Sequence, residues 1–312
     1  MSGVVTLTGG VGGAKLVLGL MQICPPEQIT AIVNTGDDFQ HLGLAISPDI
    51  DTLLYTLSGK ANKSQGWGRE GESWSFMDAL KSLGGEDWFL LGDGDLALHV
   101  LRSHLLARGE TLSAITARFA SAWGLGLSIL PMSDDPVATH LSTSEGDLPF
   151  QRYFVERRCA PEVQAIRFEG AEHAAAAAGV IEAITDPTTK AIVIAPSNPW
   201  LSVDPILAVP GIREALAETP APVVAVSPIV GGDTVKGPTA KLMREMGLAI
   251  TNQSIAAHYA DVIDGLLIDE RDDAAGLTIA HDVTDTLMKT LEDRERVARA
   301  VLSLAERIDS RP

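Results

Sequence analysis

Cysteine is scarce: two in 312 residues, Cys24 and Cys159, with no spacing that suits a metal. Cys24 follows an apolar helical stretch and Cys159 lies in a charged one, so both read as reduced thiols of a cytoplasmic protein. Positive charge is short as well, 24 Lys and Arg against 41 Asp and Glu, for a net charge of −17. Nucleic-acid and anionic-membrane surfaces are held by basic patches, so neither partner is expected. No segment approaches the run of about 18 apolar residues that a membrane span needs, and the N-terminus has no basic stretch before an unbroken apolar one. Neither a span nor a signal peptide is therefore expected. Missing too are a nucleophile elbow, an H-E-x-x-H pair and a Cys–His signature. The histidines fall at no ligand spacing, although His41 and His99 each adjoin a motif.

Glycine, by contrast, is concentrated. Residues 4–8 form a β-branched apolar run, and Gly9-Gly10-Val11-Gly12-Gly13-Ala14-Lys15 follows before an apolar helical stretch. Such a turn brings backbone N–H groups and the positive end of the helix dipole to one spot, which favours an anion, most often phosphate. The run is not a P-loop, and it departs from the dinucleotide G-x-G-x-x-G with no acid in the ribose role. Packing alone rarely needs four glycines in five positions.

Short apolar runs at 4–8, 30–33, 191–195, 223–226 and 266–268 alternate with helical stretches. That pattern predicts an α/β fold: a three-layer, Rossmann-like, mostly parallel sheet. Ligands of such sheets bind beyond the carboxyl ends of the strands. There stand the glycine turn, Asn34-Thr35-Gly36-Asp37-Asp38, Pro196-Ser197-Asn198-Pro199 and Ser227-Pro228-Ile229-Val230-Gly231-Gly232, four polar tips read as one crevice. Residues 52–125 carry helical spacing and four of the five tryptophans, and they read as a helical insertion covering the site. Residues 1–51 and 126–312 make the Rossmann-like domain. Residues 129–136 read as a turn, 138–142 as a strand, 150–156 as an edge strand or helix start, the alanines of 173–178 as helix former, and 283–308 as one amphipathic helix.

Acids crowd the predicted rim: Asp37, Asp38, Asp49, Asp51, Asp93, Asp95, Asp134 and Asp135. Asp49 and Asp51 stand at a helix entry, where a carboxylate either caps the helix or binds a cation. Mg²⁺ takes one or two carboxylates plus phosphate oxygens, so acids facing a phosphate turn suit metal-assisted phosphoryl transfer. Asp51 would orient an attacking hydroxyl, accept its proton or ligate the metal.

Taken in order, eight segments resemble the 2-phospho-L-lactate transferase family (CofD/FbiA) of deazaflavin coenzyme F420 biosynthesis. They are the glycine turn, Asn34–Asp38, Ser47-Pro48-Asp49-Ile50-Asp51-Thr52, Gly66-Trp67-Gly68, Leu91-Gly92-Asp93, Leu130-Pro131-Met132-Ser133-Asp134-Asp135, Ser197-Asn198-Pro199 with Pro196, and Ser227-Pro228-Ile229. The resemblance implies a reaction: a guanosine diphosphate ester of a three-carbon acid passes its acid-bearing phosphoryl group to the ribityl hydroxyl of 7,8-didemethyl-8-hydroxy-5-deazariboflavin, GMP leaves, and Mg²⁺ is required. It further implies that Asp51 and the Leu90 to Asp93 segment, Gly92 included, contact the deazaflavin and that Asp37 and Asp51 ligate the metal. Gly10, Gly12, Gly13 and Lys15 of the glycine turn, with Ser197, Asn198 and Pro199, would hold the guanosine diphosphate part; Asn34 is a further substrate-binding candidate, and the family suggests a homodimer. The family segment Gly-Asp-Arg-Asp-x-Ala-Thr-His reads here Gly92-Asp93-Gly94-Asp95-Leu96-Ala97-Leu98-His99. Gly94 and Leu98 thus depart from it and leave open the acid: phospholactate, phosphoenolpyruvate or phosphoglycerate. The alternative is a non-catalytic, nucleotide-sugar-binding regulator of the same fold (YvcK-like).

Overall fold

The computed structural model describes residues 3–310 except 63 and 236. Seven strands form its central sheet: β1 (Gly3–Thr8), β2 (Ile29–Val33), β3 (Ser128–Pro131), β4 (Thr189–Ile194), β5 (Val223–Val226), β6 (Gly265–Asp269) and β7 (Ala280–Thr284). Every pairing is parallel, in the spatial order 7-6-5-4-1-2-3. The inner strands are apolar on both faces, as a sheet covered on both sides requires. Along β4, Ala191 and Val193 enter one core while Ile192 and Ile194 enter the other. The first core is closed by α1 (Gly10–Ile23) and the C-terminal helix Leu291–Asp309; the second by Val180–Thr185, Ile212–Glu218 and other short helices. The chain is therefore a three-layer, doubly wound α/β fold.

Strand order reverses between β1 and β4, the switch point at which such sheets open a crevice. Between β2 and β3 the chain inserts α2 (Pro48–Leu57), α3 (Ser75–Ser82), α4 (Asp93–Ala107) and α5 (Leu112–Ala122), with a hairpin, Phe39–His41 and Leu44–Ile46, before them. A separate antiparallel sheet joins Gly146–Pro149, Ala138–Thr143 and Val163–Glu169.

Several local expectations need correction. Residues 128–131 are a strand rather than part of a turn: β3 is an edge strand paired only with β2, where a terminal proline is tolerated. The helix read from residue 283 begins at Leu291. Thr290 accepts from Asp293 N at 3.2 Å, while the Asp293 carboxylate accepts from Thr290 N at 2.8 Å, a capping box that fixes the start. The stretch before it is edge strand β7, whose alternating exposure hides its apolar face. The alanine run is not helical past His173. Ala175 N donates to Asp135 Oδ2 at 2.8 Å and Ala177 N to Met132 O at 3.1 Å, so tertiary hydrogen bonds override propensity. Residues 152–156 form a π-helical turn.

Candidate active site

Three of the four strand tips meet. Gly9 N donates to Ser197 Oγ at 3.1 Å and Ser197 Oγ donates back to Gly9 O at 2.7 Å, stapling the glycine turn to the tip of β4. Gly10 N donates to Asp49 Oδ1 at 2.8 Å. The Asn34 amide, fully buried after β2, donates to Asp37 Oδ1 at 3.1 Å and Asp49 Oδ2 at 3.0 Å, and its oxygen accepts from Gly36 N at 2.8 Å. The fourth tip is engaged elsewhere: Ser227 donates to Asn252, and a short hairpin follows.

The glycines turn out to serve packing as well as anion access. A Cβ on Gly12 would lie 2.7 Å from Pro196 O, and one on Gly13 2.1 Å from Thr8 Oγ1. Only Gly10, at φ +64°, has open space where its side chain would be. The first N–H of α1 already serves Asp49, so an incoming anion meets Val11 and Gly12, which have no acceptor within the helix. Asn198 adds a donor there: its oxygen caps Trp200 N and Leu201 N at 3.0 and 3.1 Å, whereas its Nδ2 is buried without a hydrogen-bond partner. Pro199 begins the π-helical turn that these bonds fix.

Pro48 at the first position of α2 and two acids in its first turn suit a helix start. Neither acid caps α2. Asp49 turns to α1 and Asn34, and Asp51 forms a two-pronged ion pair with Arg102 of α4, one arm Nη1 to Oδ2 at 3.1 Å and the other Nη2 to Oδ1. Arg102 is 1% exposed and also donates to Ala45 O at 3.3 Å. His99 Nδ1 lies 3.6 Å from Asp51 Oδ2, and its Nε2 lies 3.0 Å from Asp95 Oδ2. Asp95 in turn accepts from the Tyr55 hydroxyl.

Charge is unbalanced. Asp37, Asp49 and Asp51 are buried and Asp38 half-buried, yet Arg102 is the one buried lysine or arginine among the described residues. Burial, and next the Asp49 carboxylate, hold Asp37 well above the ordinary carboxyl range. Burial does the same to Asp38, outweighing the Ser47 hydroxyl and Arg102. Asp49 is raised to about 6, again chiefly by burial. Asp38 Oδ1 is buried without a hydrogen-bond partner. Among the described residues no three His, Cys, Asp or Glu side chains form a cage of their own, so a cation here would need outside oxygens.

Other predicted residues have structural partners. Lys15 Nζ donates to Met288 O at 2.8 Å. Asp93 accepts from Ser73 Oγ, Ser75 N and Phe76 N at 2.6, 3.1 and 3.0 Å, tying α3 to the start of α4 after Gly92. Asp134 holds the first turn of α5 through Ser113, and Asp135 holds Ala175. Leu90 is exposed and, with Gly92, Asp95, Trp67 and Trp74, lines a narrow cleft. Beside it an apolar cavity of about 280 Å³ opens among Tyr55, Leu98, Phe119 and Trp123, with Lys60 and Arg69 at its edge. Arg102 and Tyr55 were missed in the sequence. Asp95, His99 and Arg102 stand four and three apart on one helical face, and Tyr55 four after Asp51, a spacing that marks both.

The model of the CofD family, described as 2-phospho-L-lactate transferase, matches residues 4–304. A phosphoenolpyruvate transferase of Kitasatospora aureofaciens is 43% identical over 98% of this chain and 98% of its own. A 2-phospho-L-lactate transferase of Methanosarcina mazei is 37% identical over 96% and 99%. A crystal structure of a UPF0052 family member from Bacillus halodurans, 18% identical, aligns over 96% of this chain and 98% of that one at a TM-score of 0.66, a likeness of fold. With these matches running the length of both chains, this protein belongs to the CofD family of 2-phospho-L-lactate transferases.

Proposed function

We propose that the chain transfers a phospho-three-carbon-acid group from a guanosine diphosphate ester to the deazaflavin ribityl hydroxyl, releasing GMP, in F420 biosynthesis. The observation that carries this reading is the buried acid cluster, short of positive charge, beside a helix start with free N–H groups at the switch point. Val11 N, Gly12 N and the unpartnered Asn198 Nδ2 would hold diphosphate oxygens of the donor. The cleft of Trp67, Trp74, Leu90 and Gly92 would take the acceptor's planar ring, which suits stacking on indole. Asp51, fixed by Arg102, would orient the ribityl hydroxyl, since phosphoryl transfer depends mostly on position and neutralised charge. The relatives matched end to end carry transferase names, which does not favour the regulatory alternative.

The acids fit a divalent cation, because four carboxylates answer to one guanidinium and Asp38 keeps an unpartnered oxygen. Asp37 and Asp51, together with phosphate oxygens of the donor, would hold Mg²⁺, which when bound neutralises phosphate charge. Chelation should therefore abolish turnover, and full activity in excess chelator would remove the metal. A cytoplasmic homodimer completes the proposal, and sedimentation showing only monomer at micromolar concentration would refute that assembly. The decisive experiment offers guanylylated phospholactate, phosphoenolpyruvate and phosphoglycerate in turn with the deazaflavin and weighs the product by mass spectrometry. One of the three adducts, with GMP, is expected; no adduct from any donor would overturn the function.

A further inference from the structure

We infer that Arg102 is a positioning residue for the transfer: it keeps Asp51 aimed, and it acts on the reaction through Asp51 alone. This rests on the function proposed above. Four observations converge on it. Arg102 grips both oxygens of Asp51 with its two terminal nitrogens, a planar fork that lysine cannot reproduce. Two further contacts anchor the fork rather than the crevice: Nη1 reaches Ala45 O at 3.3 Å, on the hairpin, and lies 3.4 Å from His99 Nδ1. At 1% exposure it is sealed from solvent and from any substrate. Finally, it is the one buried lysine or arginine among the described residues, so no other buried cationic side chain of that kind is at hand to hold Asp51 in place.

The same arrangement reaches the acceptor side. His99 touches Asp51 on one edge and Asp95 on the other, and Asp95 lines the cleft beside Trp67 and Leu90. Arg102, His99 and Asp95 lie along one face of α4, so a single helix presents the support of Asp51 and a wall of the cleft. Arg102 thereby fixes one acid of the cluster and leaves Asp37, Asp38 and Asp49 without a fixed cation.

Wild type, Arg102→Lys, Asp51→Asn and the double variant Asp51→Asn/Arg102→Gln test this with the donor that the wild type accepts. Circular dichroism and a melting curve check that each is folded. Arg102→Lys should lower kcat at least about tenfold, the low end of the roughly 10–100-fold loss on removing an outer partner that orients a site residue, with donor KM within about threefold. The double variant removes both buried charges together, so it should fold even if Arg102→Lys does not. It should transfer no more slowly than Asp51→Asn alone, because a residue that acts only through Asp51 adds no second loss. Wild-type kcat in Arg102→Lys overturns the inference, and so does a double variant at least about tenfold slower than Asp51→Asn. A purely structural arginine would lower the melting temperature and leave kcat per folded molecule unchanged, which likewise overturns it. Failure of the wild type with every donor overturns the proposed function itself and is distinguishable from these results.

Discussion

Asp49 illustrates what the site demands of single residues. Its carboxyl is moved from 3.8 to about 6, chiefly by burial, against hydrogen bonds from Asn34 and Gly10. Between those values the folded chain binds more protons than the unfolded one, so stability falls as pH rises from about 4 to 6 and then levels. Asp37 and Asp38, raised in the same direction, add to that slope. Urea unfolding across this window should show the decline, and Asp49→Asn should make it shallower; an unchanged slope would mean that Asp49 titrates as a surface acid. Asp51→Asn should stay folded and lose transfer by about 100-fold, the scale of a positioned acid–base group. A near wild-type rate would remove Asp51 from the chemistry. Spacing alone pointed to Asp49 and Asp51, because a Pro-led helix start with two acids is a local pattern. It did not pair Asp51 with Arg102, 51 residues away, because spacing within a helix marks a polar face and not the partner which that face meets.

Among the elements, α1 combines two demands. Its first turn must expose N–H groups and must also lie against Pro196 and Thr8. Gly12→Ala puts a methyl 2.7 Å from a backbone carbonyl, an overpacking that costs about 1–3 kcal/mol. Gly10→Ala meets no atom and carries only the strain of a positive φ, roughly 1–2 kcal/mol. Denaturant titration should therefore rank Gly12→Ala as no milder for stability, whereas anion binding should suffer more from Gly10→Ala, whose methyl points into open space. Equal effects of both on stability and on binding would dissolve the distinction. The inner strands were legible because burial on both faces writes an unbroken apolar run. Edge strands β3 and β7 were not, since one contains proline and the other alternates like a solvated face.

At the scale of the whole molecule, the helices inserted between β2 and β3 are joined to the body by a shared apolar core and by several bonds, Gly10 to Asp49 and Ser113 to Asp134 among them. Another tie is Arg152, from the π-helical turn, which sits 4.1 Å from the centre of the Trp88 ring and pairs with Glu86 at 3.0 Å. Exposed pairs of this kind contribute about 1 kcal/mol or less, so Arg152→Ala should leave the melting temperature nearly unchanged. It should quicken hydrogen exchange in the peptide spanning residues 84–92, next to the cleft; unchanged exchange there would show that the segment is held by other contacts. The strand order, finally, sets a schedule for synthesis. Strand β1 leaves the ribosome first but lies between β2 and β4, and one of its edges waits for residues 189–194. At about 5–20 residues per second, roughly ten to thirty seconds separate completion of β2 from arrival of β4. Throughout that interval a nascent chain carries an apolar half-sheet with a bare edge, and a chaperone that binds extended apolar segments would find it there.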